Sequence, residues 1–462
     1  MTPSERYKKL KEYLSSENPV LLDAINHYET VDKIARNIGL LAEDETYTTH
    51  ISWWPMISIL GTFSAGKSTF LNDYVGQKVQ QSGNQAVDDK FTVVCYAEND
   101  GVTTLPGLAL DADPRFPFYN ISEEVKKVDA GDGNRVDLYL QLKSVKAEVL
   151  KGKILIDSPG FDADSQRDAI LRITSHIVEM SDLVLVFFDA RHPEPGAMRD
   201  TLKHLVATTI NHRDANKVLY VLNQIDTTSR EDNLEEVIAS WQRALAREGL
   251  ISGNFYAIYS DSAMEHLNDT TLMNRLRSKR DADLIRITQR MEKVSIERSY
   301  RIIKALEDIA NGIKMRQLPR LQEILVGWSR KVFYSDLALL VAVAGMLGWL
   351  EFQLGVLSPL FSTLLGSVSI LGGLVTLLLF FHFKIARFFT NREVAKYQKN
   401  EPHLAHAISY NTKWWRAFLG FSRKNWQRSN IKRITETVEA SRALIQKLND
   451  QFISPSGTHP SS

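Results

Sequence analysis

The chain has 462 residues, of which 44% are hydrophobic, and a formal net charge of +1. Its length is enough for two or three domains with ordinary hydrophobic cores. A protein that coats nucleic acid needs a large excess of basic residues, so this balance argues against a nucleic-acid partner. The only cysteine is Cys95, which excludes an intramolecular disulfide and fits a reducing compartment.

The N-terminal segment predicts helices without a chemical motif. Residues 1–9 lack the apolar core of a signal peptide, so we expect the soluble bulk of the protein in the cytosol. Between residues 4 and 41, leucines and isoleucines recur at helical spacing, which predicts two amphipathic helices broken around Asn18 and Pro19. We interpret both as packing helices.

Residues 51–262 alternate short β-branched runs with longer amphipathic runs. This pattern is typical of the α/β class, in which helices cover both faces of a doubly wound, mainly parallel sheet. We therefore predict a nucleotide-binding domain. The predicted strands are residues 56–60, 91–97, 153–156, 183–188, 218–222 and 255–259.

The strongest single motif is GTFSAGKS, from Gly61 to Ser68, directly after the first predicted strand. It fits G-x-x-x-x-G-K-[ST], the phosphate-binding loop or P-loop. The glycines let backbone amides converge on phosphate oxygens, Lys67 neutralises their charge, and the Ser68 hydroxyl can hold Mg²⁺ at the start of a helix. The predicted nucleotide-binding residues of this segment are Gly61, Phe63, Ser64, Ala65, Gly66, Lys67, Ser68 and Thr69.

A second motif, DSPG at Asp157 to Gly160, follows the strand predicted at residues 153–156. Ligands of doubly wound sheets bind beyond the carboxyl ends of the strands, so this position is where a functional loop is expected. The motif resembles the D-x-P-G element of GTP-binding proteins. In that element the aspartate orders Mg²⁺ through water and the glycine amide can bond the γ-phosphate, which implies these roles for Asp157 and Gly160.

A third motif, NQID at Asn223 to Asp226, follows the strand predicted at residues 218–222 and is close to the base-reading element N-K-x-D. A carboxylate at Asp226 can accept the hydrogens of guanine N1 and N2, a pairing that adenine does not offer. Gln224 replaces the usual lysine and loses the packing of a lysine stem over the base. Ser260, after the last predicted strand, is a candidate for the remaining base-side loop.

Together these motifs resemble those of the dynamin superfamily of large GTPases, and within it the EHD-type branch and bacterial dynamin-like proteins. The likeness covers residues 51–262 and extends to FTVV at 91–94, LPGLAL at 105–110 and DPRFPF at 113–118. Ser64 is similar to the serine of this family's loop, and Phe63 stands where EHD-type members place an aromatic residue. The resemblance implies a Mg²⁺-dependent GTPase that binds GTP and GDP, with catalytic roles for Ser64, Lys67, Asp157 and Gly160.

The chain departs from this family in its first switch, where a threonine should meet Mg²⁺ and the attacking water. The matching stretch is QAVDDKF, residues 85–91, and no threonine aligns. Asp88 or Thr92 could approach the metal instead, and Thr103 and Thr104 are more distant alternatives. The resemblance also implies that a partner molecule could complete a slow reaction, and that ATP is the alternative nucleotide because EHD-type proteins are associated with ATP.

After residue 262 the sequence becomes charged and helical. Apolar residues between 284 and 313 recur every three or four positions, which predicts one face of a long helix. A second set between 431 and 452 could pack against it. We expect a helical bundle built from both ends of the chain, the stalk in terms of the resemblance.

Residues 337–383 contain one acidic or basic residue, Glu351, with His382 near the end. A membrane span needs about 20 apolar residues. Residues 360–383 satisfy this alone, whereas 337–350 are short unless 352–357 are added. The alternative is a pair of buried core helices in a soluble protein.

A turn at residues 351–359 would keep Glu351 out of the bilayer centre, where a charge costs about 2.5–3.5 kcal/mol. Basic residues flank both ends of the apolar segment, which places both ends in the cytosol by the positive-inside rule. This predicts a hairpin that crosses the membrane twice or enters it from one side. The flanking residues are Arg330, Lys331, Lys384, Arg387 and Arg392.

Residues 413–426 interleave aromatic and basic side chains, which favours lipid headgroups over single-stranded nucleic acid because the hairpin is near. We therefore predict a membrane-anchored dynamin-like GTPase with its nucleotide domain in the cytoplasm, in the inner membrane if the chain is bacterial. Its partners are the lipid bilayer and other copies of the chain, through the heads and the stalk. A membrane-tethered signalling switch and an ATP-using scaffold are the alternatives.

The predicted domains follow from these segments. They are N-terminal helices of the stalk at 1–48, the nucleotide domain at 49–262, a helical neck at 263–333, the membrane hairpin at 334–383, the C-terminal part of the stalk at 384–453 and a disordered tail at 454–462.

Overall fold

The computed structural model describes eleven stretches of the chain, and its packing divides the chain into two units. Apart from the first two residues, the first unit contains residues 3–22 and 49–302, and the second contains 23–48 and 303–462. The boundaries expected at residues 48, 262, 333 and 383 stay predictions. The described residues are 2–62, 64–81, 90–116, 136–160, 167–191, 217–227, 234–247, 253–260, 270–355, 364–413 and 423–452.

The first unit is built on a mixed, mainly parallel sheet, which confirms the predicted α/β class. Its strands are β1 (Met56–Gly61), β2 (Phe91–Tyr96), β3 (Thr103–Pro106), β4 (Leu140–Val145), β5 (Ile154–Asp157), β6 (Leu183–Asp189), β7 (Val218–Asn223) and β8 (Asn254–Ala257). They are ordered β3-β4-β2-β5-β1-β6-β7-β8. Among these described strands, only the β2–β5 and β3–β4 pairs are antiparallel.

The central strands β1, β5, β6 and β7 are buried along their whole length, because helices cover both faces of the sheet. That burial explains why they appear in the sequence as continuous apolar runs. The sequence did not indicate β3 and β4, which extend the sheet on one side. All four residues of β3 are exposed at the sheet edge, and β4 mixes three apolar residues with Gln141, Lys143 and Ser144.

The described α-helices are α1 (Pro3–Glu17), α2 (Leu21–Asn37), α3 (Lys67–Val75), α4 (Ala109–Ala112), α5 (Val136–Tyr139), α6 (Arg167–Met180), α7 (Leu234–Arg247), α8 (Thr270–Gly312), α9 (Leu318–Leu354), α10 (Leu364–Tyr397), α11 (Pro402–Asn411) and α12 (Arg423–Phe452). In α1, Tyr7, Leu10 and Leu14 are buried, as expected for a packing helix. Helix α3 begins at Lys67, within the last two residues of the P-loop, and buries Phe70 and Leu71.

The second unit joins segments that are distant in sequence. His406 Nδ1 lies 2.8 Å from the Gly39 carbonyl oxygen, and Asn411 Nδ2 donates to the Ile38 carbonyl at 2.8 Å. Arg442 Nε donates to Glu307 Oε1 at 3.0 Å, which connects α12 with the end of α8. The unit is therefore a helical assembly of N-terminal, central and C-terminal segments.

Helices α9 and α10 also belong to the second unit and form an apolar pair. By length and composition both could cross a membrane, and only 6% of each apolar window is buried. Trp328, Val332 and Ala386 pack together near one end of the pair. Most of the other apolar side chains face outward, including Phe352 at 86% exposure and Val368 at 66%. This exposure argues against the alternative of a buried pair of core helices.

Candidate nucleotide-binding site

The P-loop has a backbone that requires glycine. Gly66 has a φ of +80°, in the left-handed region, and an added Cβ would stand 2.2 Å from Asn223 Nδ2. At Gly61 an added Cβ would stand 2.6 Å from the carbonyl oxygen of Phe187. Ser64 also has a positive φ, of 60°. Atoms of the neighbouring strands β6 and β7 therefore pack directly against these two glycines, and this packing restricts the path of the loop backbone.

The side chain of Lys67 folds back into the P-loop. This side chain is buried, and Nζ donates to the carbonyl oxygens of Gly61 and Thr62, both at 2.9 Å. The loop thus holds a cation at its centre, hydrogen-bonded to two backbone carbonyl oxygens. A phosphate would offer ionised oxygens, which form stronger charge-assisted hydrogen bonds. The arrangement suits an anionic ligand.

Ser68 and Asp157 meet at the end of strand β5. Ser68 Oγ donates to Asp157 Oδ2 at 3.2 Å, so the hydroxyl and the carboxylate predicted for the metal lie side by side. Both are hard oxygen donors, which Mg²⁺ prefers, and Mg²⁺ commonly uses few protein ligands together with substrate phosphates and water. In the described part of the chain no group of three acidic, histidine or cysteine residues could hold a metal by itself. The residues present therefore fit Mg²⁺ that is bound together with a nucleotide.

The NQID motif contacts the P-loop directly. Asn223 Nδ2 donates to the Ala65 carbonyl at 2.9 Å, and Gln224 Nε2 donates to the Ser64 carbonyl. Gln224 has a positive φ of 65°, an uncommon backbone conformation for a residue other than glycine. Where the N-K-x-D element has a lysine, this chain thus has a glutamine whose amide is hydrogen-bonded to the P-loop.

Asp226 is partly buried just beyond Gln224. Burial raises the pKa of its carboxyl above the ordinary value, and the nearby guanidinium of Arg191 opposes this rise. A carboxylate that is removed from water in this way gains from a ligand that donates two hydrogen bonds to it. This property fits the predicted recognition of guanine.

A cavity of about 790 Å³ lies between α3, the chain after β8 and the first part of α8. Such a volume is within the range of small-molecule sites. Its lining includes Thr69, Asn223 and Ser260, three residues that the sequence predicted for the nucleotide. Ser260 Oγ donates to Asp73 Oδ2 at 3.0 Å, which connects the base-side loop with α3.

Several predicted residues stay predictions. Phe63 and Asp88 lie outside the described residues. Gly160 lies three residues beyond the end of β5. Thr92 is buried opposite Asp157 in the β2–β5 register, and its hydroxyl accepts a hydrogen bond from Gln141 Nε2 at 2.7 Å. Thr103 lies on the exposed edge strand β3.

Sequence reasoning missed two residues beside the predicted metal site. Gln80 Nε2 donates to Asp157 Oδ2 at 3.0 Å, and Lys143 Nζ donates to Gln80 Oε1. Both side chains are buried. Nothing in the local sequence distinguishes either residue, because Lys143 lies in LQLKSV, where apolar and polar residues are mixed, and Gln80 belongs to no motif.

The comparison with protein families agrees with this geometry. Residues 57–225 match the model of the Dynamin family. These residues form a dynamin-family domain. They contain the P-loop, the DSPG motif and most of the NQID motif, so the predicted resemblance is confirmed for this part of the chain.

Curated relatives of this dynamin-family domain include EH domain-containing proteins. EH domain-containing protein 2 of Rattus norvegicus is 28% identical over 182 residues, which are 37% of this chain and 30% of the relative. EH domain-containing protein 1 of Homo sapiens is also 28% identical over 182 residues, again 37% of this chain, and 31% of the relative. The match thus spans about a third of the length of these relatives.

Among solved structures, the chain is similar to an oligomerised bacterial dynamin pair that is described as a mechanism for long-range sensing and tethering of membranes. The identity is 16%, the coverage is 96% of this chain and 78% of the other, and the TM-score is 0.40. This score marks a remote likeness.

Proposed function

We propose that the chain is a membrane-anchored dynamin-like GTPase that hydrolyses GTP to GDP and couples its self-association to membrane remodelling. The observation that supports this most is the convergence of three motifs at one end of the sheet. Asn223 contacts the P-loop at Ala65, and Ser68 contacts Asp157, although these residues are far apart in sequence. Such an arrangement serves to hold a nucleoside triphosphate and its metal.

Each motif supplies a separate function in this proposal. The P-loop amides and Lys67 bind the phosphates, and Ser68 with Asp157 holds Mg²⁺, which would neutralise charge that develops on the phosphates. Gly160 senses the γ-phosphate through its amide. Asp226 reads the base.

The proposed anchor is the pair α9 and α10. Its apolar side chains are exposed in both helices, for example Met346 at 57% and Leu371 at 60%. A water-exposed apolar surface of this extent is a membrane or protein contact. The near absence of acidic and basic residues over 337–383 favours the bilayer.

The test of the proposal is hydrolysis by the purified full-length protein in detergent and on anionic liposomes. We expect Mg²⁺-dependent conversion of GTP to GDP that is faster on liposomes, and loss of this activity in Lys67→Ala. A matched control is Lys146→Ala, which removes an exposed lysine of the first unit that does not line the cavity. Equal rates with and without lipid would contradict the coupling to membranes.

ATP is the second candidate nucleotide, because Gln224 stands where N-K-x-D places lysine. The amide of Gln224 is used to hold Ser64, so it provides no apolar stem over guanine. Calorimetry with GDP and ADP distinguishes the two. Tighter binding of ADP would overturn the guanine assignment and leave the nucleotide site intact.

A further inference from the structure

The backbone of Gln80 is hydrogen-bonded to a side chain of α3, the helix that follows the P-loop. Asn72, on α3, accepts hydrogen bonds at Oδ1 from the amide nitrogens of Val79 and Gln80, at 2.8 and 2.9 Å. The same side chain donates through Nδ2 to the Gln80 carbonyl at 2.9 Å. One asparagine thus satisfies three backbone groups, and this places Gln80 beside the end of β5.

The side chain of Gln80 bridges a cation and a carboxylate. Lys143, on β4, donates to Gln80 Oε1 and also to the Val79 carbonyl, at 3.2 Å for the second. On its other side Gln80 donates through Nε2 to Asp157 Oδ2 at 3.0 Å. An ammonium group can only donate and an ionised carboxylate can only accept, so the two partners set the orientation of the amide.

This bridge has electrostatic consequences for Asp157. The ammonium of Lys143 polarises the Gln80 amide and strengthens its N–H as a donor, since hydrogen bonds in a chain reinforce one another where water is excluded. Gln80 is 1% exposed, and Asp157 is 3% exposed. The carboxylate oxygen that receives this bond is the same atom that accepts from Ser68.

We propose that Gln80, supported by Lys143, is a positioning residue for the Mg²⁺ site of the proposed GTPase. It holds the Asp157 carboxylate beside Ser68, so that the metal and its water meet an ordered acceptor. The presence of Mg²⁺ in this inference rests on the proposed function, whereas the contacts of Gln80 are those of the structure. Partners that orient metal ligands commonly change metal affinity or activity by about 10–100-fold when removed.

The opposing interpretation is that Gln80 only satisfies a buried lysine. In that case its loss would lower stability but leave the metal site unchanged. The measurement must therefore separate metal binding from folding and from nucleotide binding.

The experiment is a Mg²⁺ titration of fluorescent GDP release from the full-length protein. The variant is Gln80→Met, because methionine is unbranched, similar in length and without a donor. We expect half-maximal slowing of GDP release to need about 10–100-fold more Mg²⁺ than in the wild type. GDP release in EDTA should be unchanged, since the bridge has no role in holding the nucleotide without metal.

Gln242→Met is the matched control. Gln242 is exposed on α7 and does not line the cavity, so the same substitution there should leave the Mg²⁺ titration unchanged. If Gln80→Met fails to fold because Lys143 is left with a buried charge, Gln80→Met combined with Lys143→Met removes both polar groups and should show the same rise in Mg²⁺ requirement.

A Mg²⁺ titration of either Gln80 variant that matches the wild type would overturn the inference. A wild-type protein whose GDP release ignores Mg²⁺ would overturn the proposed metal site itself, and this inference with it. A protein that does not bind guanine nucleotide would instead contradict the proposed function. These three outcomes can be distinguished because they are read from the Mg²⁺ titration of the variants, the Mg²⁺ titration of the wild type and the binding of fluorescent GDP, respectively.

Discussion

Asn223 Nδ2 lies 2.2 Å from the point where a Cβ on Gly66 would stand. The amide occupies this space because it donates to the carbonyl of Ala65, the residue before Gly66. The base-reading motif and the P-loop are therefore mutually dependent in shape, and each restricts the residues that the other can contain.

This contact predicts a severe effect for Gly66→Ala. The new methyl group would collide with Asn223, and alanine at a φ of +80° costs about 1–2 kcal/mol by itself. We expect GDP affinity to fall by at least about tenfold. Isothermal calorimetry measures this, and Gly76→Ala is a fair control because Gly76 also has a positive φ, of 73°, but meets nothing within 4 Å. Equal losses in both variants would show that backbone strain, and not the contact with Asn223, is responsible.

Gln224→Lys should strengthen GDP binding. A lysine stem can pack over the base, and each buried CH₂ contributes about 0.8 kcal/mol. We expect the GDP dissociation constant to fall by roughly 4–15-fold, measured by competition against fluorescent GDP, and the ADP constant to fall by a similar factor because the stem contacts either purine face. Gln224→Ala is the control, because it removes the bond to the Ser64 carbonyl without adding a stem. It should weaken both nucleotides alike.

Asp226 predicts a pH dependence of GDP binding. Burial raises the pKa of its carboxyl, and only the ionised form accepts two hydrogen bonds from guanine. GDP affinity should therefore fall as the pH drops toward this raised pKa, at a higher pH than an ordinary aspartate would allow. A binding series from pH 7.5 to about 4.5, within the range where the fold persists by circular dichroism, checks this. Asp226→Asn should bind GDP at least about 100-fold more weakly, without this pH dependence.

The same substitution has a second readout, in stability. A carboxyl whose folded pKa lies above its unfolded value contributes stability below the unfolded pKa and loses that contribution as the pH rises through the folded pKa. At pH 7 the ionised Asp226 therefore opposes folding of the nucleotide-free domain. Asp226→Asn should raise the Tm of the nucleotide-free protein at pH 7, and a lowered Tm would contradict the role given to burial.

Met346→Lys should weaken the membrane anchor. Met346 is exposed on α9 within the apolar segment, and a lysine at the centre of a span costs about 2.5–3.5 kcal/mol. We expect a larger soluble fraction after carbonate extraction of membranes. Met315→Lys is the matched control, because Met315 is exposed in the π-helical turn Ile313–Gln317, before the apolar segment. Identical extraction of the two variants would argue against insertion of α9.

The sequence predicted the α/β class well because the central strands are buried on both faces. Such strands must be continuous apolar runs, so β1, β6 and β7 were found within a residue or two of their ends. Strand β3 was missed since the residues TTLP at an exposed edge show neither alternation nor an apolar run. The sequence indicated most of the proposed site through motifs of fixed spacing.

The contacts of Gln80 with Asp157 and of Lys143 with Gln80 could not be predicted from the sequence, for a different reason. Gln80 and Lys143 are 63 residues apart and meet only because β4 and the chain after α3 approach the same end of β5. A contact of this kind depends on the tertiary fold, and no local pattern encodes it. The contact of Gln224 could not be inferred from the sequence either, because its amide is hydrogen-bonded to the Ser64 carbonyl of the P-loop, where the motif had suggested a side chain that packs over the base.

The lengths of the two apolar helices have a consequence for where the protein can reside. Residues 337–354 of α9 and 364–383 of α10 are helical, and at 1.5 Å per residue these arms measure about 27 and 30 Å. Such arms match a hydrocarbon layer of about 30 Å, and deviation from it costs fractions of a kcal/mol per Å. In the proposed hairpin a change in bilayer thickness would alter the mismatch of both arms at once, so the thickness would select the membranes that such an anchor enters.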